Sequence, residues 1–278
     1  VEANLICFII SATLLGACSS FYGIGLGGGA FVMFFISGII GFGVGDYGLF
    51  RAYKIIGSRL TMIMTQCLAA PFAATVEWLW LGSELSFGQV LAGAGILVGV
   101  SLALSPNKTF QIDKKLWKTG VFWGFISAFG QGFGAVLSRK AGMMVDTGVS
   151  IDGLSAAYQR VLGGLAVMMF LFIAQKIIGY NRSSDSSRTD LSSASFKWVF
   201  FLVLVNALCG PTLGVGAYQW ALNVNDLPAG IVLSVVALSP LVIIPFSIKF
   251  ENERPTLRSL IGSVIAVIGV IIMTNMVE

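Results

Sequence analysis

The longest stretches without a charged side chain constrain this sequence most strongly. Eight runs of the chain contain no Asp, Glu, Lys or Arg, and the first reaches from residue 3 to residue 45. An α-helix needs about 20 predominantly apolar residues to cross the hydrocarbon core of a bilayer. Backbone polar groups in lipid must pair internally, and runs of this length suit helices better than barrel strands of about ten residues. The sequence therefore predicts an all-α polytopic membrane protein.

The composition excludes most soluble classes of protein. Hydrophobic residues make up 56% of the 278 residues and charged residues only 11%, whereas a soluble domain carries about 25% charged residues. A soluble enzyme, a nucleic-acid binder and a disordered chain are therefore excluded. The chain has no histidine, which removes the commonest metal ligand and the usual proton shuttle near neutral pH, and we expect no metal and no cofactor.

The cysteines are predicted to be small buried hydrophobic side chains. All lie in apolar stretches and none forms a CxxC pair, so neither a zinc site nor a redox pair is expected. They are Cys7, Cys18, Cys67 and Cys209.

The first charge-free run is too long for a single crossing. The glycine cluster between Gly23 and Gly29 favours a turn and divides this run in two. Nine membrane-spanning helices follow. Their predicted bounds are 3–22, 30–53, 59–81, 86–105, 117–139, 151–178, 197–222, 228–249 and 256–275.

An internal repeat relates the two halves of the chain. An offset of 169 residues aligns residues 45–105 with 214–274 without a gap, and Pro71 and Glu84 then match Pro240 and Glu253. Many transporters are built from two such repeats. Five predicted helices follow the central polar loop and four precede it, so we expect a further helix upstream of Val1 in the natural protein or its relatives.

Short motifs, in a fixed order, resemble the EamA-type members of the drug/metabolite transporter superfamily. In the first half they are Gly45-Asp46-x-x-Leu49-Phe50-x-Ala52, Gly57-x-Arg59, Leu68-Ala69-x-Pro71 and Leu81-Gly82-x-Glu84. In the second half they are Ser138-Arg139-Lys140, Tyr218-x-x-Ala221, Ser239 followed by Pro245, and Glu253-Arg254-Pro255. The resemblance covers nearly the whole chain. It departs from the family pattern in lacking the first helix and in carrying Ser83 inside the usual Gly-Glu pair.

The resemblance implies a carrier of ten helices in two inverted five-helix repeats around a cavity that opens alternately to either side. The first repeat would occupy residues 1–106 without its first helix, a connecting loop 107–118, and the second repeat 119–278. Family members move amino acids, related polar metabolites or drugs, often outward. We therefore expect an exporter, not an enzyme, in a bacterial inner membrane, with a small-molecule substrate and the lipid bilayer as partners. The resemblance is also compatible with proton coupling and with a homodimer.

Charged residues within the spans are the first candidates for a substrate site, because polar groups are expensive in hydrocarbon and face a bundle interior or a cavity. Asp46 is expected to bind a cationic group, carry a proton or pair with a buried arginine. Arg160 is expected either to bind a substrate carboxylate or to extend to a lipid headgroup. Glu77 and Glu84, near a helix end, are assigned to the surface.

Uncharged polar and aromatic side chains complete the predicted site. Gln131 lies between two glycines near the middle of its span. Aromatic rings with a polar handle suit an amphipathic metabolite, although Trp and Tyr also form belts at membrane interfaces. The predicted substrate-binding residues are Asp46, Tyr47, Phe50, Gln66, Gln131, Tyr158, Arg160, Asn206, Tyr218 and Trp220; Gln159 and Gln219 are further candidates.

Pairs of glycines four residues apart predict close helix packing, because such pairs let backbones approach each other. These pairs are Gly41/Gly45, Gly95/Gly99, Gly120/Gly124, Gly130/Gly134 and Gly210/Gly214.

Two other functions compete with transport as explanations of the sequence. A membrane transferase would need paired acids to hold Mg²⁺, and no DxxD or DxxxD lies within a span; the sequence also lacks HExxH and GxxxxGK[ST]. The remaining alternative is a non-transporting scaffold or subunit of a larger membrane complex. It predicts polar residues scattered around the helices, whereas a carrier predicts that Asp46, Gln131, Arg160, Asn206 and Tyr218 line one cavity.

Overall fold

The computed structural model describes residues 2–104, 114–145, 151–180, 193–224, 227–239, 241 and 257–275. Over these residues the chain forms nine helices and no strand. The helices are α1 (Glu2–Tyr22), α2 (Phe31–Ile56), α3 (Ser58–Leu81), α4 (Phe87–Leu104), α5 (Lys114–Met143), α6 (Gly153–Tyr180), α7 (193–224), α8 (Ala229–Val236) and α9 (Leu257–Asn275).

The all-helical prediction and the number of helices are confirmed. Eight of the predicted spans coincide with helices to within a few residues at each end, while much of the predicted span 228–249 lies outside the described residues. So do most of the connecting loop 107–118 and the motif residues from Pro245 to Pro255.

Within the described residues, six helices are long and apolar enough to cross a membrane, and α4 and α9 contain shorter apolar stretches. The six spans are Asn4–Tyr22, Phe31–Ile56, Leu60–Leu81, Leu116–Met143, Gly153–Ile177 and Trp198–Asn223. Large apolar side chains are exposed along these helices, as expected for surfaces that face lipid rather than water.

The glycine-rich turn between α1 and α2 is confirmed. Gly25, Gly28 and Gly29 have φ values of 59°, 91° and 73°, a backbone region that L side chains rarely adopt. The start of α6 fixes this turn, because the Ser155 hydroxyl accepts hydrogen bonds from the backbone N–H groups of Ile24 (3.0 Å) and Gly25 (3.1 Å). Glycine thus ends the first span where the sequence predicts it.

The chain divides into two compact units, Val1–Gly43 with Leu137–Asn225 and Val44–Val136 with Asp226–Glu278. Each unit contains segments from both sides of the predicted connecting loop.

In the first unit, α1 and the start of α2 pack against α6. The core contains Phe8, Leu15 and Val161, all almost fully buried. Glycines bring the helices together: a Cβ at Gly163 would meet the backbone carbonyl of Phe35. Close backbone approach supplies van der Waals contact, which drives helix association in lipid.

In the second unit, α4 packs against α9 through a similar contact. A Cβ at Gly99 would lie 2.6 Å from the carbonyl oxygen of Gly262, and the neighbouring core contains Ile96, Val100 and Ala266. A Cβ at Gly95 would meet nothing within 4 Å. The prediction of close packing is therefore right for Gly99 and wrong for Gly95.

Two helices contain a π-helical segment, Ile39–Gly45 in α2 and Leu208–Gly214 in α7. Ile39 and Leu208 lie 169 residues apart, as do Gly45 and Gly214, which is the offset of the sequence repeat. The two segments therefore occupy equivalent positions under that alignment, although the alignment began only at Gly45.

The π segment of α7 has an identifiable chemical cause. Pro211 lacks a backbone N–H and cannot bond the carbonyl of Ala207. The Thr212 hydroxyl donates to that carbonyl instead, at 2.7 Å. Having donated its proton, Thr212 accepts a hydrogen bond from the Ser11 hydroxyl of α1 at 2.8 Å. The segment is thus held to a neighbouring helix.

The cysteine prediction needs one correction. Cys7 is buried and Cys18 and Cys67 are half-buried, but Cys209 is exposed. Its place in the π segment of α7 turns the thiol outward, so burial is the wrong prediction for this residue.

Candidate functional site

Arg160 lies in the interior of the first unit, about a quarter of the way along α6. Its side chain is only 1% exposed. A Cβ at Gly38 would meet the Arg160 carbonyl oxygen, and a Cβ at Gly41 would lie 2.7 Å from the guanidinium Nη2. Helix α2 therefore comes close enough to enclose the arginine only because it carries glycine at both positions.

Two aromatic rings surround the guanidinium. Its Cζ atom lies 4.8 Å from the centroid of Phe42 and 5.3 Å from that of Tyr218. The Tyr218 hydroxyl also hydrogen-bonds the guanidinium. Cation–π contacts of this kind strengthen when water is excluded. They orient the charge without neutralising it.

Two of the guanidinium nitrogens have no acceptor among the described residues. Nε and Nη1 of Arg160 are buried and make no hydrogen bond within the part of the chain that the structure describes. Burying a charged donor without a partner is costly. An ionisable group left in this state inside a membrane span marks a functional site by default. The alternative in which Arg160 extends to a headgroup is wrong, because the side chain is enclosed by protein.

Two glutamines next to these residues hold the first unit together. The Gln159 amide donates to the carbonyls of Gly25 (2.8 Å) and Gly27 (3.0 Å). The Gln219 amide donates to the Ser138 hydroxyl at 3.0 Å. In both residues the amide oxygen has no hydrogen-bond partner among the described residues. In each glutamine the amide nitrogen therefore contributes to packing, while the buried amide oxygen accepts no hydrogen bond from a described residue.

The other predicted residues of the first unit lie in more varied surroundings. Tyr158 is half-buried, and its ring packs 3.0 Å from where a Cβ of Gly16 would stand. Asn206 is exposed, and its amide donates to the Cys7 sulfur at 3.3 Å. Trp220 is 56% exposed. Of the residues predicted in this unit, Tyr218 is the one for which a contact with Arg160 is established.

In the second unit, Asp46 and Gln131, which the sequence singles out separately, are brought together. The Gln131 amide nitrogen donates to Oδ1 of Asp46 at 3.1 Å, and both side chains are half-buried. Asp46 starts the α-helical part of α2 directly after the π segment. The sequence places Gln131 between two glycines, and no side chain from its immediate neighbours crowds the amide. The pair is a carboxylate with a neutral donor.

An aromatic group follows Asp46 on α2, from Tyr47 to Tyr53. Arg51 donates to the Tyr47 hydroxyl at 2.7 Å, and the Tyr47 ring packs edge-on against Trp123 with centroids 5.5 Å apart. Phe50 is 43% exposed, with its centroid 6.2 Å from that of Tyr53. Gln66 on α3 is half-buried. The second unit therefore combines an acidic pair with a group of aromatic rings that are half-buried except for Phe50.

Glu77 corrects the surface assignment made from the sequence. Its side chain is 1% exposed, and Oε2 accepts a hydrogen bond of 3.4 Å from the backbone N–H of Gly230 at the start of α8. A carboxylate is stabilised there by the unpaired N–H groups of a helix start. A signal for burial existed, because apolar residues flank Glu77 on both sides within the predicted span.

Similarity to known proteins agrees with this architecture. The sequence profile of the EamA-like transporter family matches residues 118–275. One solved structure, described only as "Crystal structure of protein", superimposes with a TM-score of 0.73 at 15% sequence identity and covers 99% of this chain and 87% of that chain. At this identity the likeness shows the fold alone. No curated protein sequence matches the chain significantly.

The family match extends over more than half of the chain, and the helices are those of a multi-pass integral membrane protein. A transporter of this kind lies in the lipid bilayer and has a small-molecule substrate. The family also indicates a transporter rather than an enzyme. The chain therefore belongs to the EamA-like transporter family, within the drug/metabolite transporter superfamily.

Proposed function

We propose that the chain is a secondary carrier that exports small metabolites by alternating access. The observation that carries this proposal is Arg160, a buried guanidinium on a membrane-spanning helix. Two of its nitrogens lack an acceptor within the part of the chain that the structure describes. A scaffold would have no use for so costly a group, whereas a carrier needs a polar group that is satisfied only when a solute arrives.

The substrate-binding residues proposed are the ten that the sequence singles out. Arg160 and Tyr218 form one group and Asp46 and Gln131 form another, each within its own compact unit. The exposed rings of Phe50 and Trp220 and the side chains of Tyr47, Gln66, Tyr158 and Asn206 are proposed to shape the remainder. The pairing of Arg160 with Tyr218 and of Asp46 with Gln131 supports transport over the scaffold, which predicts scattered polar side chains. Asn206, which the carrier hypothesis also assigns to the cavity, is exposed and does not add to this support.

Alternating access is supported by the π segments of α2 and α7. A π segment interrupts the regular hydrogen-bond ladder and is a frequent feature of functional sites in helices. Here the two segments lie at equivalent positions of the sequence repeat. We propose that both helices change direction there during the transport cycle. The cellular site is proposed to be a bacterial inner membrane, with a homodimer as the candidate assembly.

Solute counterflow in proteoliposomes tests the carrier proposal. Vesicles are loaded with a high concentration of unlabelled solute and diluted into a trace of the labelled form. Transient accumulation of label inside the vesicles, above its equilibrium level, is measured for amino acids, organic acids, sugars and cationic drugs. A carrier produces such an overshoot and a scaffold does not. Accumulation into inside-out membrane vesicles tests export. Absence of counterflow across this range of solutes would refute transport.

Proton coupling is proposed to act through Asp46. Asp46→Asn should abolish flux driven by a pH gradient, because the amide cannot exchange a proton, while counterflow continues. Glu84→Gln is the matched control, since Glu84 is an exposed carboxylate beyond the end of α3. Unchanged pH-driven flux in Asp46→Asn would rule out this role.

A further inference from the structure

Resting on the transport function proposed above, we infer that Arg160 binds the carboxylate of a small monocarboxylate solute in the interior of the first unit. The inference starts from the unused donors. Nε and Nη1 are buried without an acceptor among the described residues, and a carboxylate is the planar anion that a guanidinium matches in charge and hydrogen-bonding geometry.

The first unit supplies no counter-ion of its own among the side chains that the structure describes. Among the described side chains of this unit, Asp152 is the one carboxylate. It accepts hydrogen bonds from the Ser155 hydroxyl at 2.6 Å and the Ser155 backbone N–H at 2.8 Å, and from the backbone N–H of Ile24 at 3.3 Å. Asp152 is thus engaged at the start of α6, two helical turns before Arg160. No described carboxylate of the first unit is therefore left to neutralise Arg160, and we assign that part to the solute.

The surroundings favour a monoanion. Phe42 and Tyr218 offer rings but no second positive charge, and Gly38 and Gly41 offer bare backbone. One guanidinium neutralises one carboxylate, whereas a phosphate dianion would carry a second charge into the apolar enclosure, where an unpaired charge is strongly disfavoured. The bound solute would therefore be a small organic acid with a single carboxylate.

Thermal unfolding of the purified full chain in detergent tests this inference. The probes are sodium acetate, lactate and benzoate, each compared with its neutral amide at equal ionic strength, together with inorganic phosphate. At least one carboxylate should raise the unfolding midpoint by about 2–4 °C more than its amide, because a ligand bound only to the folded state stabilises it. Arg160→Gln should abolish this difference.

Lys176→Gln is the matched control. Lys176 lies on the same helix, is exposed and also lies over an aromatic ring, with Nζ 5.5 Å from the Phe172 centroid. This variant should keep the full carboxylate response. If Arg160→Gln does not fold, Arg160→Lys retains the charge without the planar fork, and its affinity for the carboxylate should fall about tenfold or more.

The outcomes separate this inference from the transport proposal. Equal shifts for carboxylates and amides, a carboxylate shift retained in Arg160→Gln or undiminished in Arg160→Lys, or a larger shift with phosphate than with any carboxylate would overturn it. A carboxylate shift that depends on Arg160 supports it even where counterflow is absent, in which case only the transport proposal falls. Counterflow of neutral solutes without any carboxylate response leaves transport standing and refutes the role of Arg160.

Discussion

The surroundings of Arg160 in the first unit and of Asp46 in the second differ in how completely the protein satisfies each charge. Asp46 is half-buried and accepts a hydrogen bond from Gln131. Arg160 is more deeply buried, lies between two rings and keeps two nitrogens without an acceptor among the described residues. A paired group contributes to folding, whereas an unpaired buried one burdens it. The difference teaches that burial alone does not distinguish the two charged groups, whereas the hydrogen bonds that each one makes do.

The largest expected effect concerns the glycines that bring backbone close to each charge. Gly38→Ala should destabilise the protein by about 3 kcal/mol or more, because the new methyl group would overlap the carbonyl of Arg160, which is backbone and cannot rotate away. Gly45→Ala should be nearly neutral, since its Cβ would make an ordinary contact of 3.4 Å with Gln131. Unfolding midpoints in detergent measure both. Equal effects would mean that the two regions are packed alike.

The second prediction concerns the pairing of Asp46 with Gln131. A double-mutant cycle with Asp46→Ala and Gln131→Ala should give a coupling free energy of about 1.5–3 kcal/mol, the range for hydrogen bonds to charged groups. Chemical or thermal unfolding of the four proteins supplies the cycle. A coupling near zero would show that the pair contributes nothing to stability and would remove the contrast with Arg160.

The third prediction is a gain in stability, whereas the first two concern losses. Arg160→Met replaces an incompletely paired buried charge with an apolar side chain of similar length, and such replacements are often neutral or stabilising. We expect the ligand-free protein to gain about 1 kcal/mol, a rise of about 2–4 °C in the unfolding midpoint, despite the loss of the ring contacts. A large destabilisation would show that Arg160 is chiefly structural.

The sequence was sufficient to predict the fold and to single out the residues of the proposed site, but not how those residues pair. A long charge-free run predicts a helix because a helix lets the backbone pair its own polar groups within lipid. The predicted bounds of the spans from α1 to α7 therefore agree with the helices to within a few residues. The pairing of Asp46 with Gln131 was not predictable, because the two residues are 85 positions apart and meet only through helix packing.

Burial of individual polar side chains is harder to read from sequence. Glu77 lies four residues before the end of α3, which suggested a surface position, yet α8 covers it. The direction in which a side chain points depends on which helix packs against that face. In a helix that is apolar all round, no polar face marks the side that meets solvent.

The smallest expected effect compares the two tyrosine hydroxyls that contact arginine. The Tyr47 hydroxyl accepts from Arg51, an exposed side chain, and Tyr47→Phe should change stability by about 0.5 kcal/mol or less, since exposed polar contacts compete with water. Tyr218→Phe should cost about 1 kcal/mol, because the buried guanidinium of Arg160 loses an acceptor that water does not replace. Unfolding midpoints of the two single variants provide the measurement, and both variants keep their rings and therefore their cation–π contacts. If Tyr218→Phe proved as mild as Tyr47→Phe, water would reach the guanidinium in the ligand-free protein, and Arg160 would already be solvated before any solute binds.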